Sequence, residues 1–459
     1  MSSDQDPTPA AGGARQGPAT GAATGAARSA RTVAAVPVPL FLPCAPGAEA
    51  LLADEVQALL GAGAAVQPER GGVRVMGDAP AAMRLNLESR LAQRVLWPLA
   101  HGPYGNEHDL YQLARTVPWA DWITPAQTFR IDTTAQRSPL QSLNFATLRV
   151  KDAVCDVLRD ATGERPSIDT KFPDLPLTLH LSPSHATLYA DTSGEALFKR
   201  GWRDAQGLKG DAPLKETLAA AMLAGAGWQG RAEDGPLFDP CCGAGTIVIE
   251  AAQIAAGIAP GLQRRFAFER LLPFRSHQNS WARLKDAARA RQHAPAVPIY
   301  AGDVSFRMTD FAQRNAERAG VAKFIEFKTA DALQRPPPAG AGVLLINPPY
   351  GERIAPMGSR GGHRSGERDA DHGASREGFE AGSSPADFFS QLASHWKRQY
   401  PGWTAWLLSP DPQLPRMLRL KESRRLPMWN GAIECRLFRF DLVAGSARNK
   451  PEHGPQQAD

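Results

Sequence analysis

The chain has 459 residues, 43% of them apolar, which is too long for one ordinary core and too apolar for a disordered polypeptide, so two or three globular domains are expected. A net charge of +5 suits a polyanionic partner without requiring one. The five scattered cysteines show no CxxC spacing, which excludes a disulfide framework and the common zinc sites and points to a reducing, cytoplasmic setting without a metal.

Residues 1–36, rich in Ala, Gly, Ser and Thr, lack the compact apolar run of a signal peptide and reach no membrane-spanning length, so a disordered tail and no membrane association are expected. From Val36 the character changes. VPLFLPC (38–44) reads as a strand, PGAEALLADEVQALLGAG (46–63) as a helix and GGVRVMG (71–77) as a second strand. MRLNLESRLAQRVL (83–96) has helical spacing, TFRIDTT (128–134) is strand-like and FATLRVKDAVCDVLRDATG (145–163) is helical. LTLHLSP (177–183) and ATLYADTS (186–193) add two strands. No glycine-rich nucleotide loop interrupts residues 37–200, which suggests a binding module ahead of a catalytic one.

KGDAPLKETLAAAMLAGAGW (209–228) reads as a Pro-started connecting helix over 201–228. Beyond it strands and helices alternate. PLFD precedes TIVIEAAQIAAG, PIYAGD precedes RMTDFAQRNAERAG, FIEFKTAD leads into a Pro-rich loop, GVLLI ends on NPPYGER, and TAWLLSP and LFRFDLV follow. This order predicts an α/β, doubly wound, mostly parallel sheet over 229–445, with ligands beyond the carboxyl ends of its strands. Residues 355–386, charged and rich in Gly and Ser, are expected as a disordered insertion, and 446–459 as a polar tail.

Four of these strands each deliver a polar group to one edge: Asp239, Asp303, Asp331 and Asn347. In DPCCGAGT the strand ending at Asp239 runs through Gly243 and Gly245 into a helix starting near Thr246, a pattern that serves either a tight turn or a ligand pressed against the backbone. An acid after the second strand is placed to accept ribose hydroxyls, so the set reads as a nucleoside site. No GxxxxGK[ST] lysine is present to hold a triphosphate. Small side chains at Cys241 and Cys242 suit a close ligand approach and need no thiol chemistry.

In NPPYGER, Pro348 and Pro349 stop the strand and fix the chain. The segment is either a strand-ending turn or a site for an exocyclic amine. In the second case the Asn347 side-chain oxygen and the Pro348 carbonyl accept its two hydrogens, and Tyr350 offers a face to an unstacked base. Lys151, Arg165, Lys199, Arg200, Arg203 and Lys209, with Trp202 among them, form a candidate RNA-phosphate strip.

DPCCGAGTIVIEAA, GD, RNAERAGV and INPPYGERI together resemble the class I S-adenosyl-L-methionine-dependent methyltransferases that act on amino nitrogens. AMRLNLESRLAQRVLWPL, FATLRVKDAVCDVLRD, GERPSID and ADTSGEALFKRGWR resemble a THUMP RNA-binding domain behind a ferredoxin-like segment. With APLKETLAAAML and WNGAIECRL the chain is similar to the bacterial 23S rRNA guanine-N2 methyltransferases over residues 37–445. The resemblance implies a Rossmann-like domain with a seven-stranded sheet, a ferredoxin-like segment at 37–80 and a THUMP domain at 81–200. It implies a cofactor site lined by Asp239, Cys241, Gly243, Gly245, Thr246, Asp303, Asp331 and Asn347, with Asn347, Pro348 and Tyr350 presenting the amine. The expected partner is 23S rRNA or a pre-ribosomal particle. A tRNA guanine, an adenine amine, or an inactive RNA-binding assembly factor are the alternatives. Ser305 stands where some members have a second acid, and some carry another methyltransferase half where this chain ends.

Overall fold

The computed structural model describes residues 36–203, 214–348 and 385–443. Tyr350, Lys209, both expected tails (residues 1–35 and 446–459) and residues 355–384 of the expected insertion lie outside these.

The amino-terminal half is built on one eight-stranded sheet. Its elements are β1 (Val38–Pro43), α1 (Glu49–Leu60), β2 (Val66–Glu69), β3 (Gly72–Gly77), α2 (Ala79–Glu88), β4 (Leu96–Pro103), α3 (Glu107–Arg115), β5 (Thr128–Ala135), α4 (Leu143–Thr162), β6 (Ser167–Ile168), β7 (Leu175–Leu181) and β8 (His185–Asp191). The strand order is β2-β3-β1-β4-β8-β7-β5-β6. Pairing is antiparallel except where β5 lies parallel to β6 and β7.

β2, β4 and β6 add to the five strands expected here, and two helices depart from the expectation for local reasons. The helix expected over 83–96 ends at Glu88, because the Glu55 carboxylate on α1 accepts from the Arg90 and Leu91 N–H groups and the Ser89 hydroxyl. Donors that would have extended the helix are drawn across to another element, and β4 begins instead. α3 was not foreseen, although Asn106 and Asp109 form a reciprocal capping box at its start.

The second half contains α5 (Glu216–Ala226), β9 (Leu237–Asp239), α6 (Thr246–Ala255), α7 (Gln278–Ala290), β10 (Ile299–Asp303), α8 (Phe306–Arg318), β11 (Ile325–Thr329), β12 (Gly342–Ile346), α9 (Pro385–Gln399), β13 (Trp403–Ser409), α10 (Leu414–Leu418), β14 (Arg424–Asn430) and β15 (Ile433–Asp441). Their sheet runs β11-β10-β9-β12-β13-β15-β14. The first five strands are parallel, and β15 returns antiparallel to β13 and β14. This is the mostly parallel sheet that the alternation predicts, with the seven strands and Rossmann-like order that the resemblance implies. α7, α9, α10 and β14 are additions. The last two residues of the expected insertion belong to α9.

A continuous apolar core runs through both halves. At the junction Trp97 of β4 packs edge-on against Phe274, with ring centroids 5.7 Å apart. Among the described residues no helix is long and apolar enough to cross a membrane.

Candidate active site

Parallel register brings the expected residues to one edge of the second sheet. Ala301 pairs with Asp239, Asp303 with Thr329, and Leu344 with Phe238, so the strand ends lie side by side. Asp239 is the last residue of β9, Asp303 of β10, Asp331 follows β11 by two residues, and Asn347 follows β12 directly.

The glycine loop between β9 and α6 is held by that edge. Asp239 Oδ1 accepts from the Cys241 N–H at 3.1 Å, and Asp303 Oδ2 accepts from the Gly243 N–H at 3.0 Å. The Cys242 N–H reaches the Gly302 carbonyl at 2.7 Å. From α8, Asn315 Nδ2 donates to the Ala244 carbonyl at 2.9 Å. Gly243 and Gly245 have φ of 51° and 79°, the left-handed region that glycine enters at least cost. Their surroundings differ. A Cβ on Gly245 would stand 3.0 Å from the Ala312 Cβ, so that glycine lets α8 pack closely. A Cβ on Gly243 would meet no atom of the described residues within 4 Å, which leaves room for a ligand against the backbone there.

Asp239 is buried, and burial reinforced by the Asp303 carboxylate pushes its carboxyl up to about 8. Two carboxylates this close, one of them desolvated, favour a cationic group between them. Burial, with the same carboxylates, raises both loop thiols well above their ordinary value, so Cys241 and Cys242 stay protonated. Asp303 Oδ1 also accepts from the Ser305 N–H at 3.0 Å. Val304 and Phe306, exposed beside it, make an apolar lip that the sequence reading did not single out. The Asp331 carboxylate caps its own turn, accepting from the Leu333 N–H at 2.9 Å and Gln334 Nε2 at 3.1 Å.

At the end of β12 the Asn347 side-chain oxygen is buried and has no hydrogen-bond partner among the described residues. An orphaned acceptor of this kind is costly unless a ligand completes it.

Residues 39–96 match the RlmL ferredoxin-like domain, residues 104–191 the THUMP domain, and residues 200–360 the RMKL-like methyltransferase domain. The "Putative RNA methyltransferase slr0064" of Synechocystis sp. is 34% identical over 88% of this chain and 97% of its own length. The chain belongs to the THUMP-domain, S-adenosylmethionine-dependent RNA methyltransferases. The "Ribosomal RNA large subunit methyltransferase K/L" of Syntrophotalea carbinolica is 38% identical over 89% of this chain but 54% of its own length, so the chain spans about half of that relative. A solved "possible methylase" from Clostridium difficile 630 superposes with TM-score 0.74 at 26% identity, covering 90% of this chain and 100% of that one.

For a methyltransferase of this family the strand-edge set fits the methyl donor. The open Gly243 backbone and the buried Asp239 carboxyl suit a compact zwitterion carrying a positively charged sulfur. The expected RNA strip is only partly a surface. Lys151, Arg165 and Lys199 are on the outside, each beside an acid: Asp152, Asp156 and Glu195. Arg200 and Trp202 are buried, which corrects the expectation for both. The Arg200 guanidinium is bound to Glu250, the Leu197 carbonyl and the Arg90 carbonyl, and cannot reach an outside phosphate. Arg203 turns inward as well, donating to Glu216 Oε1 at 2.5 Å and to Thr246 Oγ1 at 2.8 Å. The sequence reading missed Arg90, Glu250 and Asn315. A lone acid inside the apolar run TIVIEAA was the available signal for Glu250.

Proposed function

We propose that this methyltransferase modifies the exocyclic N2 amine of a guanine in 23S rRNA, with the strand-edge residues holding S-adenosylmethionine and Asn347 and Pro348 presenting the amine. The observation that carries the reading is the buried Asn347 oxygen at the end of β12, which has no hydrogen-bond partner among the described residues. The large-subunit rRNA substrate is taken from the names of relatives that extend well beyond this chain.

When bound, S-adenosylmethionine supplies an electrophilic methyl on a sulfonium. Asp239 and Gly243 hold its amino-acid part and Asp303 its ribose, with Asp331 on the base side. The target amine is a weak nucleophile because its lone pair is delocalised into the purine. Asn347 Oδ1 accepts one N–H and the Pro348 carbonyl the other, which turns the nitrogen towards tetrahedral geometry and frees the pair to attack. The new bond is N–C and the broken bond is S–C, and the nitrogen then sheds one proton to water. No strong base is required. Tyr350 gives the extruded base a stacking face, and the amino-terminal half grips the surrounding RNA.

The test is methyl transfer from labelled donor to unmodified 23S rRNA, followed by mapping of the labelled nucleotide. Label on guanine N2 that disappears in Asn347→Ala is the expected result. No label, or a variant equal to the parent, overturns the reading, while label on tRNA or on an adenine amine moves the substrate.

A further inference from the structure

α6 begins at the cofactor's glycine loop, and at Thr246 and Glu250 it is fastened to Arg90 of the amino-terminal half and to Arg200 and Arg203, which follow that half in the chain. Glu250, in the middle of α6, is fully buried. Arg200 Nε donates to its Oε1 at 3.0 Å, and Arg90 Nη1 to its Oε2 at 3.1 Å. Arg90 follows α2, and its backbone N–H is held in turn by Glu55 of α1 at 2.8 Å. One turn nearer the loop, Arg203 donates to the hydroxyl of Thr246, the first residue of α6. Arg264 closes the far side, donating to the carbonyls of Ser193, Glu195, Ala196 and Lys199. The segment 193–203 that leaves the RNA-binding half is therefore bolted to the helix on which the glycine loop is mounted.

The charges make this joint selective. Arg90 and Arg200 are two guanidiniums on one carboxylate, and burial together with the neighbouring Arg200 charge lowers the Arg90 guanidinium from its ordinary value while Glu250 supports it. Neutralising Glu250 leaves two desolvated cations that must separate, and both are anchored outside α6. Their repulsion then bears on the packing of α6, whose start has no slack, since Ala312 already lies against Gly245.

We propose that Glu250, with Arg200 and Arg203, is a positioning element of the cofactor site, so that the amino-terminal half helps to shape the glycine loop as well as to hold RNA. This rests on the cofactor site described under the proposed function.

The test is calorimetric titration of the full chain with S-adenosylhomocysteine, with RNA affinity and thermal unfolding measured in parallel. Glu250→Gln is expected to weaken S-adenosylhomocysteine by about tenfold, as loop misplacement predicts, with RNA affinity nearly unchanged. Glu250→Asp is expected to recover part of the loss, and so is pairing Glu250→Gln with Arg200→Met. Arg203→Gln, at a half-buried site, is expected to weaken binding in the same direction, and decides the matter if Glu250→Gln does not fold. Variants that melt earlier but bind S-adenosylhomocysteine like the parent overturn the inference. A parent that binds none overturns the cofactor reading beneath it.

Discussion

Asn347 and Asp239 sit on adjacent strand ends, yet their environments call for opposite experiments. Asn347→Ala removes an acceptor that acts on the reacting nitrogen, so methyl transfer is expected to fall about a hundredfold to a thousandfold while cofactor affinity changes little. Single-turnover rates with binding titrations separate the two. An equal loss of affinity would assign Asn347 to ground-state binding instead. Asp239 makes a pH prediction. Its carboxyl titrates at about 8 in the fold against an ordinary 3.8, so the folded state keeps a proton that the unfolded chain releases. The destabilisation is absent below about pH 4, grows as pH rises towards 8, and is complete above it. Without ligand, Asp239→Asn should therefore gain in melting temperature relative to the parent as pH is raised through this window. A difference that is flat with pH would contradict the burial-driven shift.

At the scale of elements, the strand-loop-helix unit β9-α6 depends on two glycines for different reasons. Gly245→Ala places a side chain in the left-handed region, costing about 1–3 kcal/mol from conformation alone, and presses it on α8. Gly243→Ala meets no neighbour, so its stability cost is the conformational part only, and its larger effect should fall on ligand affinity. Denaturant unfolding beside cofactor titration reads both, and a reversed ranking would mean that the loop faces the other way. The early end of α2 belongs to the same scale: side-chain capture by Glu55 outweighed a good helical pattern, which no local window of sequence contains.

For the whole molecule, the joint combines buried ion pairs with aromatic packing. Trp97 packs on Phe274 across it, and the Glu55, Arg90, Glu250 and Arg200 groups are linked through it. The two halves should unfold together, as one calorimetric transition, and Glu250→Ala should lower stability by about 3–5 kcal/mol by stranding buried cations. Two separate transitions in the parent would show instead that the halves are independent.

The sequence by itself was sufficient for the parallel-sheet architecture and for the strand-end residues Asp239, Asp303, Asp331 and Asn347. Both are written locally, in apolar runs that stop at polar groups and in glycines that follow a strand. Charge alone could not tell which arginines face outward. Lys151, Arg165 and Lys199 stay at the surface, whereas Arg200 and Arg203 are drawn inside by Glu250 and Glu216, acids distant in the chain. That choice is a matter of long-range pairing in a desolvated joint, and only the tertiary structure brings the partners together.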